Sequence, residues 1–160
     1  MSDKMRAELA IYDAIHVNPI NRAIHAVGIP VIMFAVLGFA ALIGQSSGFL
    51  NGGLVLSLVG GVIIGRYSVW CGFALALFAY ALTLGAQALH AQFDTTTAAI
   101  IYGAAFVVGW IVQFIGHGIE KAGPAFGSRP INLLLGPVSV LNDFLPLIRP
   151  APWKDPNVRP

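Results

Sequence analysis

From Ala23 to Ile119 the chain carries only two charged side chains, Arg66 and Asp94. A stretch that long and that poor in charge does not make the wet surface of a soluble globule, so it belongs in lipid. The whole sequence agrees, with 57% hydrophobic and 10% charged residues where a soluble domain carries about 25% charged. Its 160 residues are one domain's worth, read as a single membrane domain over 1–160. A net charge of +2 without a basic run gives nucleic acid nothing to hold. The lone cysteine, Cys71, excludes an internal disulfide and a thiolate metal cluster, and reads as a small apolar residue packed in a helix.

Breaks in the apolar run predict an all-α integral membrane bundle of four transmembrane helices, over about 20–43, 49–65, 69–89 and 97–120. A short N-terminal helix from Lys4 to Ile15 precedes them, with Met5, Leu9, Tyr12 and Ile15 or His16 on one side. The polar leader carries acids as well as bases, and the apolar run behind it is too long for a signal-peptide core, so no cleavage is expected. Pro30 lies inside the first span, where it kinks the helix or needs a neighbour for the freed carbonyl. Gly44–Gly48 forms an uncharged turn. Gly60-Gly61 allows close helix approach, and Trp70 suits the interface. Asp94 or Thr95 caps the fourth span, and Gly123-Pro124 ends it. Beyond Pro130, an apolar segment over 131–148 is broken at Gly136-Pro137 and Asn142-Asp143. It is too short to span and reads as interfacial or re-entrant. The tail Arg149–Pro160 should be extended. Four crossings put every Lys and Arg on one side, that of both termini, which the positive-inside rule makes cytoplasmic. A bacterial inner membrane is expected, or the endoplasmic reticulum in a eukaryote.

Two of the chain's four histidines, His16 and His25, flank the point where the leader meets the first span. On one straight helix they would sit roughly 13–14 Å apart and about half a turn round. Asn18-Pro19 predicts otherwise: the residue before proline leaves the α region, Asn18 caps, and a new helix starts at Pro19. The turn brings the two imidazoles together. Antiparallel spans bring His117 to the same depth, with Glu120 on its helix face. Neutral imidazoles suit iron, zinc or copper in an apolar setting. Histidines bonded to backbone or headgroups, and haem ligation, stay open. Asn18 and Asn21 read as a cap and a hydrogen-bonder, Asn21 holding His25 in one tautomer. Gln113, one turn before His117, either steadies the site or bonds a neighbouring helix. Gly116 and Gly118 read as packing positions. His90 falls at the opposite face, across roughly 30 Å of hydrocarbon, and reads as interfacial.

His16-Val-Asn18-Pro19-Ile-Asn21 with Ile24-His25 and Gly28-Ile-Pro30 resembles the N-terminal signature of the 2-hydroxy fatty acid dioxygenase family. Trp110-Ile-Val-Gln113-Phe114-Ile-Gly116-His117, followed by Glu120 and Pro124-Ala125, resembles its second signature. The resemblance covers roughly Tyr12 to Leu147. It implies an enzyme dependent on Fe(II), held by His16, His25 and His117, with Glu120 and Asn21 as catalytic polar groups. The implied reaction is α-oxidation: a 2-hydroxy fatty acid reacts with O2 and yields the fatty acid one carbon shorter. The partners implied are that acid, O2 and the lipid bilayer, with no nucleic acid; a homo-oligomer is compatible. Arg22 or Lys121 would hold the substrate carboxylate. Gly38, Ala41, Phe73 and Phe106 would line the acyl chain. The rival readings are a bis-histidine haem protein and a structural or lipid-binding membrane protein.

Overall fold

Short polar side chains start the four central helices of this protein where the apolar runs begin. The computed structural model describes residues 3–44, 50–121, 123 and 130–145. It holds six helices, α1 (Asp3–Ala14), α2 (Pro19–Ala41), α3 (Gly52–Gly65), α4 (Val69–His90), α5 (Thr95–Glu120) and α6 (Asn132–Phe144), with no strand among the described residues. Asn18 caps α2 by accepting from the Ile20 amide at 2.9 Å, with Pro19 in the first turn. Asn51 caps α3 through the Leu54 amide, and Ser68 caps α4 through the Cys71 amide. Asp94, not Thr95, caps α5 by taking the amides of Thr96 and Thr97.

The central element is α2, which packs against α3, α4, α5 and α6. It runs through Pro30 as one helix. The chain passes up α2, down α3, up α4 and down α5, and small residues set how closely these elements meet. A Cβ on Gly72 would collide with the backbone of Gly61 and Gly65, so α3 and α4 touch backbone to backbone there. A Cβ on Gly38 would lie 2.7 Å from the Tyr102 ring, which seats on α2 in its place. The outward faces of α2 to α5 remain apolar and exposed, as Val27, Val62, Phe73, Ile100 and Phe114 show. Such a surface is stable against lipid rather than water.

Three helices, α2, α4 and α5, are long and apolar enough to cross a membrane. The second expected span is shorter than the sequence suggests: α3 has 14 residues and rises about 21 Å, against the ~30 Å of a hydrocarbon core. At the end where α3 stops, the N- and C-terminal helices fill in. Ile64 of α3, with Cys71 and Leu75 of α4, joins Met5, Leu9 and Tyr12 of α1 and Leu135 and Val138 of α6 in one buried cluster. The side of α1 expected to be apolar is therefore buried.

Two boundaries differ from expectation. The segment expected to break at Gly136-Pro137 is one helix, α6, with Leu135 to Asn142 all buried. Its packing against α1, α2 and α4 outweighs the proline and glycine penalties. The end of α5 comes before Gly123: Lys121 itself adopts the left-handed conformation, φ 56°, and its amide returns to the Gly118 carbonyl. Pro124, Arg129, residues 45–48 of the expected turn, the end of the 131–148 segment and the tail Arg149–Pro160 lie outside the described residues.

Candidate metal centre

The turn at Val17-Asn18 is held from the far end of the sequence. The Glu120 carboxylate accepts the amides of Val17 at 3.1 Å and Asn18 at 3.1 Å, and the Asn21 side-chain amide at 2.9 Å. Four donors would suit a carboxylate, and Glu120 takes three across about a hundred residues of chain. Asn21 is fully buried, and Gly116 on α5 leaves the space its side-chain oxygen occupies. This clip docks the start of α2 on the end of α5.

The docking brings His16, His25 and His117 together. Ring centroids lie 4.8 Å apart for His16–His25, 4.9 Å for His25–His117 and 5.5 Å for His16–His117, every pair edge-on. One potential ligand atom from each lies within 4.8 Å of the others. His16 and His25 are oriented alike: Nδ1 of each donates to the carbonyl four residues earlier, Tyr12 at 2.7 Å and Asn21 at 2.9 Å. A carbonyl only accepts, so Nδ1 carries the proton and Nε2 keeps its lone pair. Tyr12 also stacks on His16, centroids 4.1 Å apart. His16 Nε2 and His117 Nδ1 are buried with no hydrogen-bond partner among the described residues. Burial pushes the His16 imidazole below its ordinary pKa, against the opposing pull of the Tyr12 carbonyl, Glu120 and Asp13. Neutral, oriented imidazoles with spare lone pairs are the donor set that a divalent transition metal takes.

The three histidines close one end of a cavity of about 100 Å³. Gln113, Trp110 and Asn132 join them, and Ile29, Ile32, Met33 and Leu133 make the apolar wall. The cavity lies between α5 and α6, which barely touch each other, with α2 as its floor.

The other expected site residues are spread around this centre. Asn21 does not fix the His25 ring through its side chain; its backbone carbonyl does, and the side chain serves Glu120. Arg22 lies in a crevice beside His16 and His25, ion-paired with Asp143 of α6. Lys121 is exposed at the C-cap and lines none of the cavities beside the histidines. Phe73 and Phe106 face outward, and Gly38 and Ala41 lie further along α2, so none of the four lines the cavity. The residues that sequence reasoning missed are Tyr12, as a carbonyl acceptor and stacking partner, and the α6 wall. The spacing of four from Tyr12 to His16 and from Asn21 to His25 was the available signal.

Fold and site together define a helical protein with a lipid-compatible exterior and a three-histidine group at one end. The sequence matches the family described as 2-hydroxy-palmitic acid dioxygenase Mpo1-like over residues 2–146, and the chain belongs to that family. It is 28% identical over 145 residues to the 2-hydroxy-palmitic acid dioxygenase MPO1 of Saccharomyces cerevisiae, an alignment covering 88% of this chain and 79% of the yeast protein. No solved structure matches the chain.

Proposed function

We propose that this protein is an Fe(II)-dependent dioxygenase of the α-oxidation type, converting a 2-hydroxy fatty acid and O2 to the fatty acid one carbon shorter. The observation that carries the reading is the histidine group: three buried-facing imidazoles from distant positions, two of them tautomer-fixed, at the polar end of an otherwise apolar cavity. Membership of the family and the name of the yeast relative support the same chemistry. His16, His25 and His117 would hold the iron, which when bound supplies a centre for binding the reactants and activating O2.

The protein's own residues do the rest. The Tyr12 and Asn21 carbonyls hold two rings in the tautomer that leaves Nε2 free to ligate. Glu120 acts as a positioning residue, because its carboxylate is engaged by the Val17, Asn18 and Asn21 donors. The wall of Ile29, Ile32, Met33 and Leu133 excludes water and takes the first carbons of the acyl chain. A volume of about 100 Å³ is several times the roughly 10–15 Å³ that a single water needs. It admits a polar head and the carbons next to it, while the remaining chain leaves between α5 and α6 into lipid.

We also place both termini on the cytoplasmic side. Support comes from α1 and α6 packing together at the end where α2 starts and α5 finishes. On this topology α3 completes the fourth crossing with α1 and α6 making up the missing thickness. Iron analysis of purified protein with a 2-hydroxypalmitate assay under O2 tests the whole proposal. The expected result is about one iron per chain, no Soret band and a product one carbon shorter. A Soret band, or iron-loaded protein without turnover, overturns it.

A further inference from the structure

The cavity contains a polar side chain that the histidine group does not use. Gln113 is 3% exposed, and neither its amide nitrogen nor its amide oxygen has a hydrogen-bond partner among the described residues. It lines the cavity from α5, one turn before His117. A bond to a neighbouring helix does not account for it. The facing position on α2 is Gly28, whose absent Cβ would lie 2.9 Å from Gln113 Nε2 and 3.2 Å from Cδ. Gly28 therefore leaves room for the amide and offers its side chain nothing to bond.

We propose that Gln113 reads the polar head of the substrate, its Nε2 donating to the carboxylate and its Oε1 accepting from the 2-hydroxyl. This rests on the reading of the protein as a 2-hydroxy fatty acid enzyme and names the residue that selects for the hydroxyl. The chemistry is complementary. A primary amide offers one donor group and one acceptor side by side, and a 2-hydroxy acid offers an acceptor carboxylate beside a donor hydroxyl. An unsubstituted fatty acid fills only half of that pairing and leaves Oε1 buried and unbonded, which is the situation in which sites discriminate strongly. The charged side chains nearby are less suited: Arg22 is paired with Asp143, Glu120 is engaged in the clip, and Lys121 does not line the cavity. A buried polar pair without partners also costs the free protein stability, so its retention on the cavity wall fits a ligand-binding role.

The test compares binding of 2-hydroxypalmitate and palmitate to the iron-loaded protein without O2, in wild type, Gln113→Leu and Gln113→Glu, with iron content and melting temperature measured on each. Wild type should prefer 2-hydroxypalmitate by at least about tenfold, since its hydroxyl satisfies a buried acceptor. Gln113→Leu should bring that preference near unity and weaken 2-hydroxypalmitate binding about tenfold, with iron content unchanged and the melting temperature equal or higher. Gln113→Glu keeps the shape, places a carboxylate against the substrate's own, and should weaken 2-hydroxypalmitate binding by more than about tenfold. Wild type and Gln113→Leu with the same preference overturn the assignment alone, as does a wild type that binds both lipids equally. Should Gln113→Leu not fold, undiminished 2-hydroxypalmitate binding by Gln113→Glu overturns it. A wild type that binds neither lipid overturns the underlying functional reading, and this assignment with it.

Discussion

At the end of the bundle where α4 gives way to α5, Asp94 takes two backbone amides and the Thr97 hydroxyl from the helix it caps, and these hydrogen bonds, the Thr97 hydroxyl first, hold its carboxyl below the ordinary range. Tyr102 donates to the Ala86 carbonyl, and His90 stands beside them as the one histidine of that end. At the other end Glu120 reaches backbone amides 103 and 102 residues away, and three histidines share a point. The far end has the larger cavity, about 230 Å³ against about 100 Å³. It lacks the convergent set of lone pairs. Convergence of oriented groups from distant parts of the chain, more than volume, separates a reactive site from a gap between helices.

The comparison breaks most visibly at the histidines. His25→Ala and His117→Ala should each lower metal affinity more than about a hundredfold, since losing even an outer partner of a ligand costs 10–100-fold in rough terms. Metal analysis after dialysis against a weak chelator reads this, and full iron content in either variant would mean the three rings are not the ligands. Glu120→Ala comes next. It leaves the Val17, Asn18 and Asn21 donors without their acceptor, costing about 1–3 kcal/mol of stability and about 10–100-fold in metal affinity. Glu120→Gln should lose less, because an amide oxygen still accepts; equal losses would point to a direct chemical role for the carboxylate. At the far end Asp94→Ala should lower the melting temperature as a lost cap, with metal content and turnover unchanged. Lys121→Gly should stabilise the protein by up to about 1 kcal/mol, relieving a left-handed non-glycine residue. Any fall in substrate affinity in that variant would restore Lys121 as a carboxylate partner. The smallest effect belongs to His90→Ala, expected within about 0.5 kcal/mol of wild-type stability and with full iron; lost iron there would erase the distinction between the ends.

What the sequence reveals follows the same division. Asn18-Pro19 is legible because proline and its predecessor have narrow backbone choices, and from that turn the meeting of His16 with His25 follows. The polar caps at Ser68 and Asp94 occupy fixed places relative to their helices, so the starts of α4 and α5 lie close to expectation. The clip is hidden because two of its donors are backbone amides, Val17 and Asn18, which carry no signature in residue type. The carbonyls of Tyr12 and Asn21 are hidden for the same reason. The cavity wall is hidden for another. In a helix meant for lipid, the residue facing the bilayer is as apolar as the one facing a neighbour, so Phe73 and Ile29 look equivalent until Gly136 of α6 is seen to lie against the latter. The length of α3 could not be read either, since Leu50 and the glycines after Asn51 are equally at home in a span or in the turn before one.

The Glu120 clip also sets a timetable. A ribosome makes His16, His25 and the turn between them early, and makes His117 and Glu120 only after α3 and α4 have been completed. Until α5 is in place, the turn that carries His16 and His25 lacks both its Glu120 anchor and the partner imidazole of His117. Capture of a metal by the three histidines would then be a closing event in biogenesis, open to the finished fold and denied to its truncated precursors.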